Sequence, residues 1–172
     1  MRKMAFLTRS SILGTLLVAV LLVTLPAAVH RLVQTGDLYL FTRHFFKDIA
    51  ARLSGAGRLR FLFQPAVAIL LGSRDGLKDA RAGLPPYLWA LAFHSKHRQE
   101  FLRSTYLSVR DLVAISILLD ILSQFLIFHD VHPGAAIVLG PVLIGVPFAV
   151  SRSLANRIYS WSNGNANSHT NE

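Results

Sequence analysis

Two apolar runs, 112–128 and 134–150, are separated only by His129-Asp130-Val131-His132-Pro133. Each run has 17 residues, which as helix gives roughly 26 Å against a hydrocarbon core of about 30 Å. So short a break returns the second run antiparallel to the first, and the pattern predicts a transmembrane helical hairpin. A third apolar run, 10–29, follows the basic opening with Arg2, Lys3 and Arg9. Its end, around Pro26-Ala27-Ala28, lacks a small-x-small cleavage pattern, and the run is longer than a usual signal core, so it reads as a retained span. Residues 59–72 are apolar apart from Arg60 and Gln64. As helix they reach only about 21 Å, short for a crossing. Extension past Gly72 would place Arg60 and Arg74 as snorkelling ends.

Elsewhere the period changes. Over 38–53 the apolar positions Leu38, Phe41, Phe45, Ile49 and Leu53 recur every three or four residues, with Arg43 and Lys47 opposite them. That predicts an amphipathic helix suited to an anionic bilayer surface or to packing on the protein's own spans. A second amphipathic helix is expected over 96–110, with Phe101, Leu102, Tyr106 and Val109 on one face, leading without a breaker into the 112–128 run. Ser54-Gly55-Ala56-Gly57 and Ala82-Gly83-Leu84-Pro85-Pro86 are breaks. Gly140-Pro141 and Gly145-x-Pro147 are expected to interrupt the last run as a hinge or a tight contact. The tail after Tyr159, rich in Ser, Asn and Gly, reads as disordered.

The fold class that follows is all-α: a multi-pass integral membrane protein with four, alternatively three, spans plus interfacial amphipathic helices. The spans are placed at 10–29, 59–73, 111–129 and 134–151 of a single membrane domain, 1–159, with 160–172 as tail. Composition agrees, with 52% hydrophobic residues and a mean hydropathy of +0.44. The absence of cysteine excludes disulfides, thiolate metal sites and a Cys nucleophile. The net charge of +9 fits loops held at an anionic inner face better than nucleic-acid binding.

Basic residues flank the hairpin at Lys96, Arg98, Arg103, Arg110, Arg152 and Arg157, and none lies in its turn. Both hairpin ends, and so the C-terminus, are expected in the cytoplasm. Three spans would leave only Arg2, Lys3 and Arg9 outside, which the charge rule favours. Four spans place the six basic residues from 31 to 60 outside. The basic start and the strength of the first run favour four, because the first helix usually dominates orientation.

Candidate chemistry is sparse. Asp120 lies mid-run, and Ser116, Asp120, Ser123 and Gln124 share one helical face. An intramembrane carboxylate needs partners, as a proton or ion site or as a contact for another helix. No second intramembrane charge is evident from the sequence, so Asn at 120 is expected to be tolerated. Asp75 and Asp79, four apart, would share a face able to hold a hard cation or a phosphate-bound metal. Around them, Asp75-Gly76 and Ala80-Arg81 resemble the start of the CDP-alcohol phosphatidyltransferase signature. One extra residue intervenes and the second acidic half is missing, so a solvated, charge-laced helix end is the ordinary reading. His94-x2-His97 and His129-Asp130-x-His132 lack a third fixed ligand, and no metal or cofactor is expected.

Gln64-Pro65, Gly72-x-Arg74-Asp75-Gly76, Pro85-Pro86 and Asn156-Arg157-Ile158 together are similar to small bacterial inner-membrane proteins over roughly 59–158. The resemblance implies a multi-pass inner-membrane location and carries no activity over to this chain. The expectation is a non-enzymatic accessory or scaffold subunit that contacts partner helices, with Arg43 and Lys47 on anionic lipid. The alternatives are a small oligomeric transporter or proton-handling protein using Asp120, and a lipid-headgroup enzyme using Asp75 and Asp79.

Overall fold

The computed structural model describes residues 2–35, 43, 45–47, 58–93, 95–129 and 131–168, and all regular structure among them is α-helical. The helices are α1 (Arg2–Thr35), α2 (Arg58–Arg81), α3 (Tyr87–Phe93), α4 (Ser95–Phe128) and α5 (Pro133–Ser168). Three stretches are long and apolar enough to cross a membrane: Ser10–His30, Arg98–Phe128 and Pro133–Asn163. The α2 helix is not among them. It runs through Pro65 into the polar stretch ending at Arg81, so the charged residues after the apolar 59–73 segment belong to the same helix.

The chain divides into two compact units, one of Met1–Gln64 and Arg110–Leu143, the other of Pro65–Val109 and Ile144–Glu172. In the first, Ile117, Ile121 and Ala136 form a core against which Leu17, Val20 and Leu21 of α1 pack. Nothing lies within 4 Å of a side chain built on Gly14 of α1. Close approach occurs instead at Gly140, where a Cβ would lie 2.7 Å from Ile117 Cγ1. The α5 helix is continuous through Gly140-Pro141 and Pro147, so the expected interruption is a tight contact at Gly140 rather than a break.

The hairpin turn has defined chemistry. His129 takes a positive φ of 51°, a left-handed position that His adopts more readily than most residues. Its N–H donates to Phe125 O, and the His132 carbonyl accepts from Ala135 N–H. Pro133 opens α5, where its missing N–H costs no helical bond.

The second unit is organised around α3 and the facing parts of α2, α4 and α5. Tyr87, Ala90 and Phe101 form its core, joined by Leu84, Leu91 and Ala149. The α2 helix ends in a Schellman motif: Gly83 sits at φ 69°, its N–H donates to Ala80 O, and Leu84 N–H donates to Asp79 O. Pro85 and Pro86 follow, and α3 restarts the helix.

The long α4 bears out the continuous helix expected from 96 onward, with a different face inward. Phe101 and Val109 are buried, whereas Leu102 and Tyr106 are exposed. At the other end, α5 continues through Ser168, past the 159/160 boundary that composition suggests. No proline follows Pro147 to stop it, and the Arg81 guanidinium stacks 5.7 Å from the Tyr159 ring. Most of the 38–53 amphipathic segment lies outside the described residues. Within it, Phe45 is buried while Arg43, Phe46 and Lys47 are exposed.

Candidate functional site

In the first unit, four polar side chains of α2 and α4 meet among apolar neighbours: Arg60, Gln64, Asp120 and Gln124 are each at most 8% exposed. Arg60 Nη2 donates to Asp120 Oδ1 at 2.5 Å. Gln124 Nε2 donates to Asp120 Oδ2 at 2.8 Å, and Gln124 Oε1 accepts from His132 N–H at 2.7 Å. One helical turn before Asp120, Ser116 Oγ donates to Gln64 Oε1 at 3.0 Å. The helical spacings explain the pattern. Residues 60 and 64 project from one face of α2, and 116, 120 and 124 from one face of α4, so two polar rows meet in register. Gln124 also ties the carboxylate to the hairpin turn.

Three of the four residues expected on this face are in the network, and Ser123 is not. It sits about 60° around the helix from Asp120, and its hydroxyl donates back to Leu119 O at 2.7 Å. Arg60 supplies what the sequence left missing, a cation for Asp120. It is not snorkelling. Its Nε and Nη1, and Nε2 of Gln64, are buried without an acceptor among the described residues.

The second unit holds a separate charged cluster. Arg152, only 2% exposed, donates from Nε to Asp79 Oδ2 at 2.6 Å and from Nη2 to Asp79 Oδ1 at 3.0 Å. Its Nη1 donates to Thr105 Oγ1 at 2.9 Å, and Nη2 makes a longer contact of 3.3 Å to Ser104 Oγ. The guanidinium also stacks on the rings of Tyr87 and Phe101, at 4.8 and 5.1 Å. This bidentate, ring-stacked arrangement needs the planar fork of arginine. One turn on, Asn156 Nδ2 donates to Leu84 O, and Ser153 Oγ accepts from Leu88 N–H.

This cluster decides the fate of the acidic pair. Asp79 is held by Arg152, and Asp75 by Lys78 Nζ at 2.7 Å and Ser108 Oγ at 2.7 Å. Each carboxylate therefore has its own hydrogen-bonded cation. Among the described residues no three potential metal ligands cluster; His94 and Asp130 lie outside them. Burial pushes the Asp75 carboxyl up, but the hydrogen bonds from Lys78 and Ser108 and the charges of Lys78 and Arg152 hold it below its ordinary value.

Two glycines make the cluster possible. A Cβ on Gly72 would overlap Ser151 Oγ and the Phe148 carbonyl, and one on Gly76 would overlap the Arg152 carbonyl. The Gly72-x3-Gly76 pair is the small-residue spacing that lets helix backbones touch, and this contact brings Arg152 to Asp79. The signal in the sequence is a coincidence of four-residue spacings: Gly72/Gly76, Asp75/Asp79 and Arg152/Asn156. No known protein-family model matches the chain, and no curated protein and no solved structure match it either.

Proposed function

We propose that the protein is a non-enzymatic, multi-pass membrane protein that serves as an accessory or scaffold subunit. One observation carries this reading: the acids with candidate chemistry are closed into structural pairs, Asp120 with Arg60 and Asp79 with Arg152. A general acid or metal-bound carboxylate needs a face open to substrate. An arginine-bound carboxylate inside a helix contact is instead what specific packing uses.

Partner contact is supported by the donors left over. Arg60 Nε and Nη1 and Gln64 Nε2 are buried without an acceptor among the described residues, at a cost of about 1–3 kcal/mol for each group left unsatisfied. A carbonyl or hydroxyl of a partner helix entering beside α2 would recover that cost. The topology that suits this role has four spans, α2 crossing as the short one, with the C-terminus on the cytoplasmic side of an inner membrane. Arg43 and Lys47, both exposed, would rest on anionic headgroups.

Purification of the full chain in mild detergent tests the reading. A stoichiometric second membrane protein is expected to co-purify, and Asp120→Leu is expected to release it. A symmetric homo-oligomer that keeps its composition with Leu at 120 would overturn the scaffold reading and return Asp120 to the proton-handling alternative.

A further inference from the structure

Between α3 and α5 of the second unit runs an open groove of about 330 Å³, walled by Leu88, Trp89 and Phe93 on one side and Val150 and Leu154 on the other. It adjoins a wider hollow of about 510 Å³ that reaches Gly83, Asn156 and Ser160, and Pro86 and Arg157 line both. We propose that this groove holds one anionic glycerophospholipid, its phosphate against Arg157 and an acyl chain along Trp89, Phe93, Val150 and Leu154.

The chemistry of the lining selects the occupant. Arg157 is exposed and has no acidic partner among the described residues, and neither hollow is lined by an Asp or Glu. The neighbouring polar groups are already engaged: Ser153 bonds Leu88 N–H and Ala149 O, and Asn156 bonds Leu84 O. In the 330 Å³ groove that leaves the Arg157 guanidinium as the charged contact among the described residues, with a planar fork suited to a phosphate. From Val150 to Arg157 the α5 wall extends roughly 10 Å, an apolar strip ending in a cation. A peptide would need acceptors and donors along its length, and the strip offers none. An amphiphile with one anionic end needs what is present. The inference rests on the chain residing in a bilayer, and it adds a defined lipid position to the general attraction of basic segments for anionic lipid.

The two tryptophans are Trp89 and Trp161, so Trp161→Phe leaves Trp89 as a reporter inside the groove. The full chain in this background is placed in phosphatidylcholine nanodiscs with small amounts of brominated phosphatidylglycerol or brominated phosphatidylcholine, and Trp89 fluorescence is followed. Brominated phosphatidylglycerol is expected to quench at about fivefold lower mole fraction, the preference that one basic residue confers on an anionic headgroup. Arg157→Gln should remove the preference, Arg157→Lys should keep most of it, and Arg103→Gln should leave it unchanged. Equal quenching by the two lipids would overturn the proposal, as would an Arg103→Gln effect as large as that of Arg157→Gln. Relief of quenching by inorganic phosphate would assign the site to a free anion instead. Failure of the chain to enter nanodiscs would overturn the membrane reading itself, an outcome distinct from entry without lipid preference.

Discussion

Arg60 and Asp120 form a buried ion pair across 60 residues of sequence, with each side chain at most 6% exposed. Neither residue is explicable alone. A guanidinium in the first turns of α2 would be driven toward water, and a carboxylate in the middle of an apolar helix costs about 2.5–3.5 kcal/mol on insertion scales. Together they neutralise one another, and Gln124 takes the remaining carboxylate oxygen.

Arg60→Met or Asp120→Leu alone leaves a buried charge without its partner, and each should cost about 3–5 kcal/mol. The double variant Arg60→Met/Asp120→Leu should recover most of that loss. Asp120→Asn keeps an acceptor but removes the counter-charge, so it should fall between wild type and Leu rather than be tolerated. Thermal unfolding of wild type, Arg60→Met, Asp120→Leu and the double variant in detergent gives the coupling energy. Single losses that simply add would show that the pair contributes nothing.

Gly76→Ala and Gly72→Ala place a methyl group on backbone atoms of α5 that no side-chain rotation can clear. Overpacking of this kind costs about 1–3 kcal/mol or more, and here it also pushes Arg152 from Asp79. Gly14→Ala and Gly145→Ala meet nothing within 4 Å, and alanine is favoured over glycine in helices by about 0.8–1.0 kcal/mol. The first pair should lower the unfolding temperature, while the second should leave it unchanged or raise it.

Acid should act partly through Asp75. Its folded-state carboxyl is held below the ordinary value of 3.8. The stability it contributes is therefore complete above the unfolded value and is lost as pH falls through the lower, folded one. Asp75→Asn should be less stable than wild type at neutral pH, and the two should converge below about pH 4. Unfolding curves that stay parallel from pH 7 into acid would exclude this contribution.

Reporters fused after Arg110 and at the C-terminus should both read cytoplasmic, and one inserted at Val131 should read external. An external reading near Ser54 is expected if α2 crosses as a fourth span. A cytoplasmic reading there would reduce the count to three and place the N-terminus outside.

The hairpin and the three long apolar helices are legible in the sequence because hydropathy averaged over 17 residues overwhelms local detail. The α4 helix is legible for the same reason, since nothing between 95 and 128 stops it. Pairings are a different matter. The anomaly of Asp120 is visible on inspection, but its partner depends on how α2 is rotated about its own axis, which no local pattern fixes. Arg60 and Arg152 look alike in sequence, as basic residues near the ends of apolar runs that would orient the chain. Both instead lie inside helix contacts. Ser123 sits about 60° around the helix from Asp120, a difference that spacing by three and four does not resolve. The close approach at Gly72 and Gly76 was concealed because glycine next to charged residues reads as a helix end.

Arg152 has a consequence for how the molecule is made. It follows Asp79 by 73 residues, whereas Arg60, Asp120 and Gln124 have all been synthesised before the last helix begins. The first ion pair needs no residue of α5, whereas Asp79 must wait until Arg152 has been made. Until then the Asp79 carboxylate and the notch at Gly72 and Gly76 lack the α5 atoms that they meet in the folded unit. A chain that lacks Arg152 leaves Asp79 without that guanidinium, so this helix contact closes only after α5 has been made.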